Sequence, residues 1–189
     1  MSFYSAVLFV HIVGALTLFM ALAIEWSSLR QMHRTGSSAQ ASLSIKMSSS
    51  LPPVNMASML VVLLSGGYLA SRMEAWRDPW IWAALAGMFS IGGIAVTLTR
   101  RRMEEIRRLC ADENAELTKE LIARLRDPVL LVSMRLRIAI ALGIVFLMVT
   151  KPNLDGALLA LGVAAVAGIF PTMFKQARYK EENIWARRV

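Results

Sequence analysis

Five blocks of this chain are apolar over lengths that only a membrane crossing calls for. They run from about Phe3 to Trp26, from Val54 to Ala70, from Ile81 to Leu98, from a start between Pro128 and Ser133 to Thr150, and from Gly156 to Phe174. Each is near the ~20 residues that carry a helix across ~30 Å of hydrocarbon. Helix is the required conformation, because an open strand in lipid leaves its backbone N–H and C=O groups unpaired. A barrel strand would alternate polar and apolar residues, and these blocks do not. Hydrophobic residues make up 56% of the 189 positions and charged residues 18%, which excludes a disordered chain and disfavours an ordinary soluble globule. The expected fold is therefore all-α: a polytopic bundle of five transmembrane helices forming a single integral membrane domain over residues 1–189.

The distribution of Lys and Arg orients that bundle. Of 21 basic residues, 16 fall in the segments after the first and third blocks and in the tail. Only Arg72, Arg77 and Lys151 fall in the alternate segments, and Arg135 and Arg137 lie inside the fourth block. Cytoplasmic segments carry the positive excess, so the N-terminus is expected outside and the C-terminus in the cytoplasm of a bacterial inner membrane. The lead Met-Ser-Phe-Tyr has no positive charge and the first block is long, which reads as a retained span rather than a cleaved signal. The net charge of +8 follows from this bias and needs no nucleic-acid partner. The expected surroundings are the lipid bilayer, with a membrane or cytoplasmic protein as a further partner. A lone Cys110 implies no intrachain disulfide.

Two cytoplasmic segments differ in character. Ser27 to Pro53 is Ser-rich, ends in Leu-Pro-Pro, and reads as a connector with a helix break before the second span. In residues 100–127, Met103, Ile106 and Leu109 share one helical face, and Leu117, Leu121 and Leu125 share another. Asp112 and Asn114 between them suit a turn, so a helical hairpin is expected there.

Motifs with chemical content are scarce. There is no phosphate-binding Gly-rich loop, no G-x-S-x-G, no H-E-x-x-H, no C-x-x-C and no dinucleotide fingerprint. Apart from the one pair Met56 and Met59, the 12 Met are scattered rather than clustered as M-x-x-M, which reads as packing. No catalytic residue and no metal-ligating set is assigned. The chain reads as a non-enzymatic bundle that binds or moves a small molecule, lipid or ion, or assists a partner complex.

Polar residues inside the spans carry most of the remaining information, because burying them in hydrocarbon is costly. In the first span His11, Gly14, Leu18, Ala21 and Glu25 are spaced 3, 4, 3, 4, so His11 and Glu25 face a neighbouring helix. His11 lies ~12 Å below the outer surface by helical rise. It either bonds a hydroxyl or carbonyl on the second span, such as Tyr68, or serves as a proton acceptor or cofactor ligand. Near the inner surface, helical rise brings Glu25, Asn55, Thr97, Thr99, Arg135 and Arg137 to one level. Residues two apart point ~200° from each other, so only one of the two arginines can meet Glu25. Arg137, the deeper, is expected to pair with it, and Arg135 to lie nearer the phosphates. Small-residue rows Gly156-Ala160-Ala164-Gly168, Gly66-Ala70 and Gly67-Ser71 are expected at helix–helix contacts. Gly92-Gly93 is expected to allow a bend, and Pro171 to kink or end the fifth helix.

The runs LFVHIVGALTLFMALAIEW, SMLVVLLSGGYLA, DPWIWAALAG, GGIAVTLTRRRM and RLRIAIALGIVFLMVTKPNL together resemble a family of uncharacterised bacterial multi-spanning membrane proteins that carry a domain of unknown function. The resemblance spans nearly the whole chain and implies topology. The first span is also similar to those of the CopD copper-resistance proteins and the HemJ-type protoporphyrinogen oxidase, where a first-span His is implicated in metal or haem binding. By that similarity His11 is the position for a cofactor, haem foremost. The alternative function it implies is a haem- or quinone-linked membrane redox protein.

Overall fold

The computed structural model describes residues 2–34, 50–110 and 127–186, and its elements there are all helical. Helix α1 spans Phe3–Arg34 and α2 spans Leu51–Arg72. A 3-10 turn, Ala75–Arg77, leads into α3, Pro79–Ile94. Without a break, α3 passes through a π-helical stretch, Ala95–Arg100, into α4, Arg101–Cys110. Helices α5, Pro128–Thr150, and α6, Leu154–Ala186, complete the chain. Four stretches are long and apolar enough to cross a membrane: Phe3–Met32, Leu51–Arg72, Pro79–Ile106 and Pro128–Thr150. The apolar part of α6, Leu154–Phe170, is shorter. The chain is a polytopic helical bundle.

Several boundaries depart from the sequence reading. Helix α1 does not stop near Trp26 but runs on to Arg34. Its inward seam continues through Ser28, Leu29 and Met32, all buried, and a helix persists where its buried face does. Leu-Pro-Pro itself forms the first turn of α2, so the second helix starts at Leu51 rather than Val54. Proline is at home in a first turn, whose N–H groups have no helical partner. Asp127 sets the start of α5, its Oδ1 accepting from the Val129 N–H at 2.9 Å, with Pro128 next to it. Helix α6 does not end at Pro171. Met103 and Ile106 of the expected cytoplasmic hairpin are buried. Arg102 Nε reaches Asp127 Oδ2 at 2.9 Å, tying α4 to the cap of α5. The Leu109 side chain, the Asp112–Asn114 turn and the returning half of the hairpin lie outside the described residues.

Helix α5 is the centre of the bundle, packed against α1, α3 and α6, while α1 pairs along its length with α2. Small residues permit the close approaches. A Cβ on Gly168 would stand 2.9 Å from Leu136 Cα, and one on Gly143 3.2 Å from Ala164 Cβ. The Gly156-to-Gly168 row of α6 thus lies on α5 from Ala160 onward. Helices α2 and α3 are joined by a short turn yet hardly touch. Between the α1–α2 pair and the α3–α5 pair a space is left at the end of the bundle that carries the N-terminus.

Candidate functional site

That space is a cavity of ≈ 370 Å³. All four helices wall it: Leu8 of α1, Val62 of α2, Ala84 and Met88 of α3, and Ile144 of α5 are among its apolar lining. The turn between α2 and α3 covers one side through Ala75 and Trp76. Indole hydrogen bonds hold that turn: Trp76 Nε1 donates to Ser71 Oγ at 2.8 Å and Trp82 Nε1 donates to the Trp76 carbonyl at 3.0 Å. Trp80, only 8% exposed, lines the cavity beneath and donates to Asp78 Oδ2 at 3.3 Å. Three side chains give this apolar chamber chemical character, Tyr4, His11 and Lys151.

His11 is half-buried against α2, but not through Tyr68. Its Nδ1 is 3.0 Å from Ser65 Oγ. The antiparallel arrangement explains the choice. His11 is eight residues into α1 and Ser65 seven residues from the end of α2, so both lie at a depth of ~10–12 Å. Tyr68 is a turn nearer the surface, where Phe3 meets it edge to face at 5.3 Å. The imidazole fits because position 66 is glycine: a Cβ there would sit 3.1 Å from His11 Cε1. Ser65 also donates to the Val61 carbonyl, its nearer partner. A hydroxyl has one proton, so Ser65 accepts from His11 Nδ1–H, and the network assigns the lone pair to Nε2. The Val62 backbone is a further hydrogen-bond partner of the ring. His33 lies 22 residues further along the same helix, ~33 Å away, so no single site can use both histidines.

Lys151 ends α5 in the left-handed region, at φ 45 and ψ 55, its N–H bonded to the Leu147 carbonyl at 2.8 Å. The expected candidates near the inner surface omit it, because in sequence it is an isolated charge in a short loop.

At the opposite end, Glu25, Asn55 and Arg137 come together. Arg137 Nη1 donates to Glu25 Oε1 at 3.0 Å and Nη2 to Oε2 at 2.7 Å, a two-pronged grip. Asn55 Nδ2 donates to Glu25 Oε2 at 3.2 Å. The pair is buried, Glu25 being 6% and Arg137 2% exposed. Arg137 Nε and Asn55 Oδ1 are buried without a partner among the described residues. Arg135 points elsewhere: its guanidinium lies 5.5 Å from the Trp26 ring centroid, as does that of Arg30. Thr99 is buried on the π-helical stretch, 3.2 Å from Ser133 on α5, whereas Thr97 is exposed and donates to the Gly93 carbonyl of its own helix. The cluster is therefore Glu25, Asn55 and Arg137, with Arg135, Thr97 and Thr99 outside it. Trp26 as a double cation platform was missed. Its signal was present, since Trp26 and Arg30 are four residues apart on α1.

The residues bear unevenly on a cofactor. The cavity wall offers one imidazole and the thioethers of Met73, Met88 and Met148. Among the described residues no group of three or more His, Cys, Asp or Glu could hold a metal ion.

A family model described as "Predicted integral membrane protein (DUF2269)" matches residues 5–152. The chain belongs to that family. No curated protein and no solved structure matches it. The family description establishes an integral membrane protein and names no activity. The match ends just before α6, so α1 to α5 constitute the DUF2269 part of the chain. Both polar sites fall in it: the Glu25–Arg137 pair and nearly the whole wall of the cavity, to which α6 contributes nothing.

Proposed function

We propose that this DUF2269 protein is a binding bundle of a bacterial inner membrane, oriented with its N-terminus outside, that holds a small, largely apolar molecule in the cavity between α1–α2 and α3–α5. The observation that carries this reading is the cavity itself. Membrane bundles close their helix contacts tightly with small residues, and this one does so at Gly14, Gly143 and Gly168 while leaving α2 and α3 apart at one end. A space of ≈ 370 Å³ with apolar walls and three placed polar groups has the character of a ligand site. The basic residues favour the orientation with this end outward. The lining is mostly apolar, which supports binding or transport.

The test uses Trp80 as the reporter, in a variant whose other tryptophans are replaced by Phe. Saturable quenching of this buried indole by a brominated aliphatic molecule, lost when Ala84→Leu fills the wall, is the expected result. Unsaturable quenching that Ala84→Leu leaves unchanged overturns the reading.

A second reading rests on the His11 imidazole in the wall. His11 and a cavity methionine would hold a haem, which would supply one-electron chemistry. The similarity of the first span to CopD and HemJ proteins supports it. A Soret band in protein from haem-replete cells, lost in His11→Ala, is its signature, and a colourless preparation removes it.

A further inference from the structure

The cavity's mouth indicates what kind of molecule it takes. Lys151 is the only charged side chain that lines the cavity, and it forms no ion pair among the described residues. Its backbone is in the left-handed region, at φ 45. An L-residue is disfavoured there and glycine is the usual occupant after a helix. The cap itself, an N–H to the Leu147 carbonyl, would be made equally well by glycine. Capping therefore explains the conformation and not the lysine. The segments on this side hold only Arg72, Arg77 and Lys151 as cations, so one of few positive charges at this end stands at the cavity wall. Apart from Tyr4, His11 and Lys151, the lining is aliphatic, aromatic or methionine and glycine.

We propose that the cavity takes a single-chain amphiphile with an anionic head group, the head paired with the Lys151 ammonium and the chain lying between α2 and α3. This rests on the ligand-binding reading above and adds the ligand's charge and direction. A compact ammonium at the membrane surface attracts a carboxylate or phosphate without demanding one geometry, so the head is defined by its charge. The open side between α2 and α3 lets the chain occupy a space that the packed helix pairs elsewhere in the bundle do not provide.

The experiment compares dibromostearate, at a pH where it is ionised, with its neutral methyl ester and with a brominated lysophosphatidate. Each is titrated against the Trp80-only protein in neutral detergent. The expected result is at least tenfold tighter quenching by the two anions than by the ester. Lys151→Gly is expected to abolish that preference while leaving the melting temperature unchanged or raised, because glycine is at ease in the left-handed cap. Lys151→Arg is expected to keep it. Equal affinity for acid and ester overturns the anionic-head assignment while leaving the binding cavity standing. A preference that survives Lys151→Gly overturns the role of Lys151. Absence of saturable quenching by all three probes overturns the binding reading itself. Preference for one anion over the other tells a fatty acid from a phospholipid source.

Discussion

The ion pair between Glu25 and Arg137 is buried and therefore sensitive to the loss of either partner. Both charges are withdrawn from water, and their mutual attraction with two aligned hydrogen bonds offsets the desolvation. Removing one partner leaves the other charge buried and uncompensated. Arg137→Gln and Glu25→Gln are each expected to destabilise the protein by about 3–5 kcal/mol. The double variant should lose much less than the sum, and thermal unfolding in detergent measures this coupling. Additive losses would show that the two residues do not interact. The choice of Arg137 over Arg135 was legible beforehand, since two residues of helix turn one away when the other faces in. The cation platform at Trp26 shows where the other goes: the amphipathic arginine lies along an indole rather than beside a carboxylate.

Among the elements, the α5–α6 contact depends on one missing side chain. A Cβ on Gly168 would meet the backbone of α5, Leu136 Cα at 2.9 Å and Leu136 N at 3.2 Å, and backbone cannot rotate aside as a side chain can. Gly168→Ala should force the helices apart at a cost of about 1–3 kcal/mol. Gly162, six residues earlier on the same helix, has nothing within 4 Å of the same position. Gly162→Ala should leave the melting temperature unchanged or slightly raised, so the pair of variants separates packing from helix propensity; equal losses at the two sites would contradict the contact. The small-residue spacing of α6 announced a close approach, but not which helix would make it. The Gly92-Gly93 pair announced a bend. Just beyond it the backbone widens to a π-helical stretch at Ala95–Arg100, which carries Thr99 to Ser133. Doublet glycines loosen a helix without specifying the form the irregularity takes.

For the molecule as a whole, orientation is the property that the charge distribution predicts and that intact cells can report. In whole cells an impermeant thiol reagent should label a cysteine introduced at Trp76 and should not label native Cys110 unless the cells are opened. Labelling of Cys110 in intact cells would invert the topology, and would place Lys151 and the cavity on the cytoplasmic side. The bundle's asymmetry gives the result consequence. One end is tied together by Glu25, Asn55 and Arg137 and by the Arg102–Asp127 bridge, whereas the other holds the cavity.

The chain's helical class, the approximate places of its spans and the inward face of α1 were determined by the sequence alone. They depend on quantities that run along one dimension: the thickness of hydrocarbon, the rise per residue and the angular step of a helix. The same arithmetic, carried one step further, would have matched His11 to Ser65 rather than Tyr68, since antiparallel helices pair residues of equal depth. Neighbourhood was decided only in three dimensions. In lipid, apolar faces are interchangeable and no hydrophobic effect sorts them, so partners are chosen by the fit of small residues against particular ridges. That α5 lies at the centre, that α2 and α3 stand apart despite the short turn joining them, and that Lys151 consequently meets a cavity instead of a packed helix all follow from this fit, because no span's own pattern contains the shape of the helix beside it.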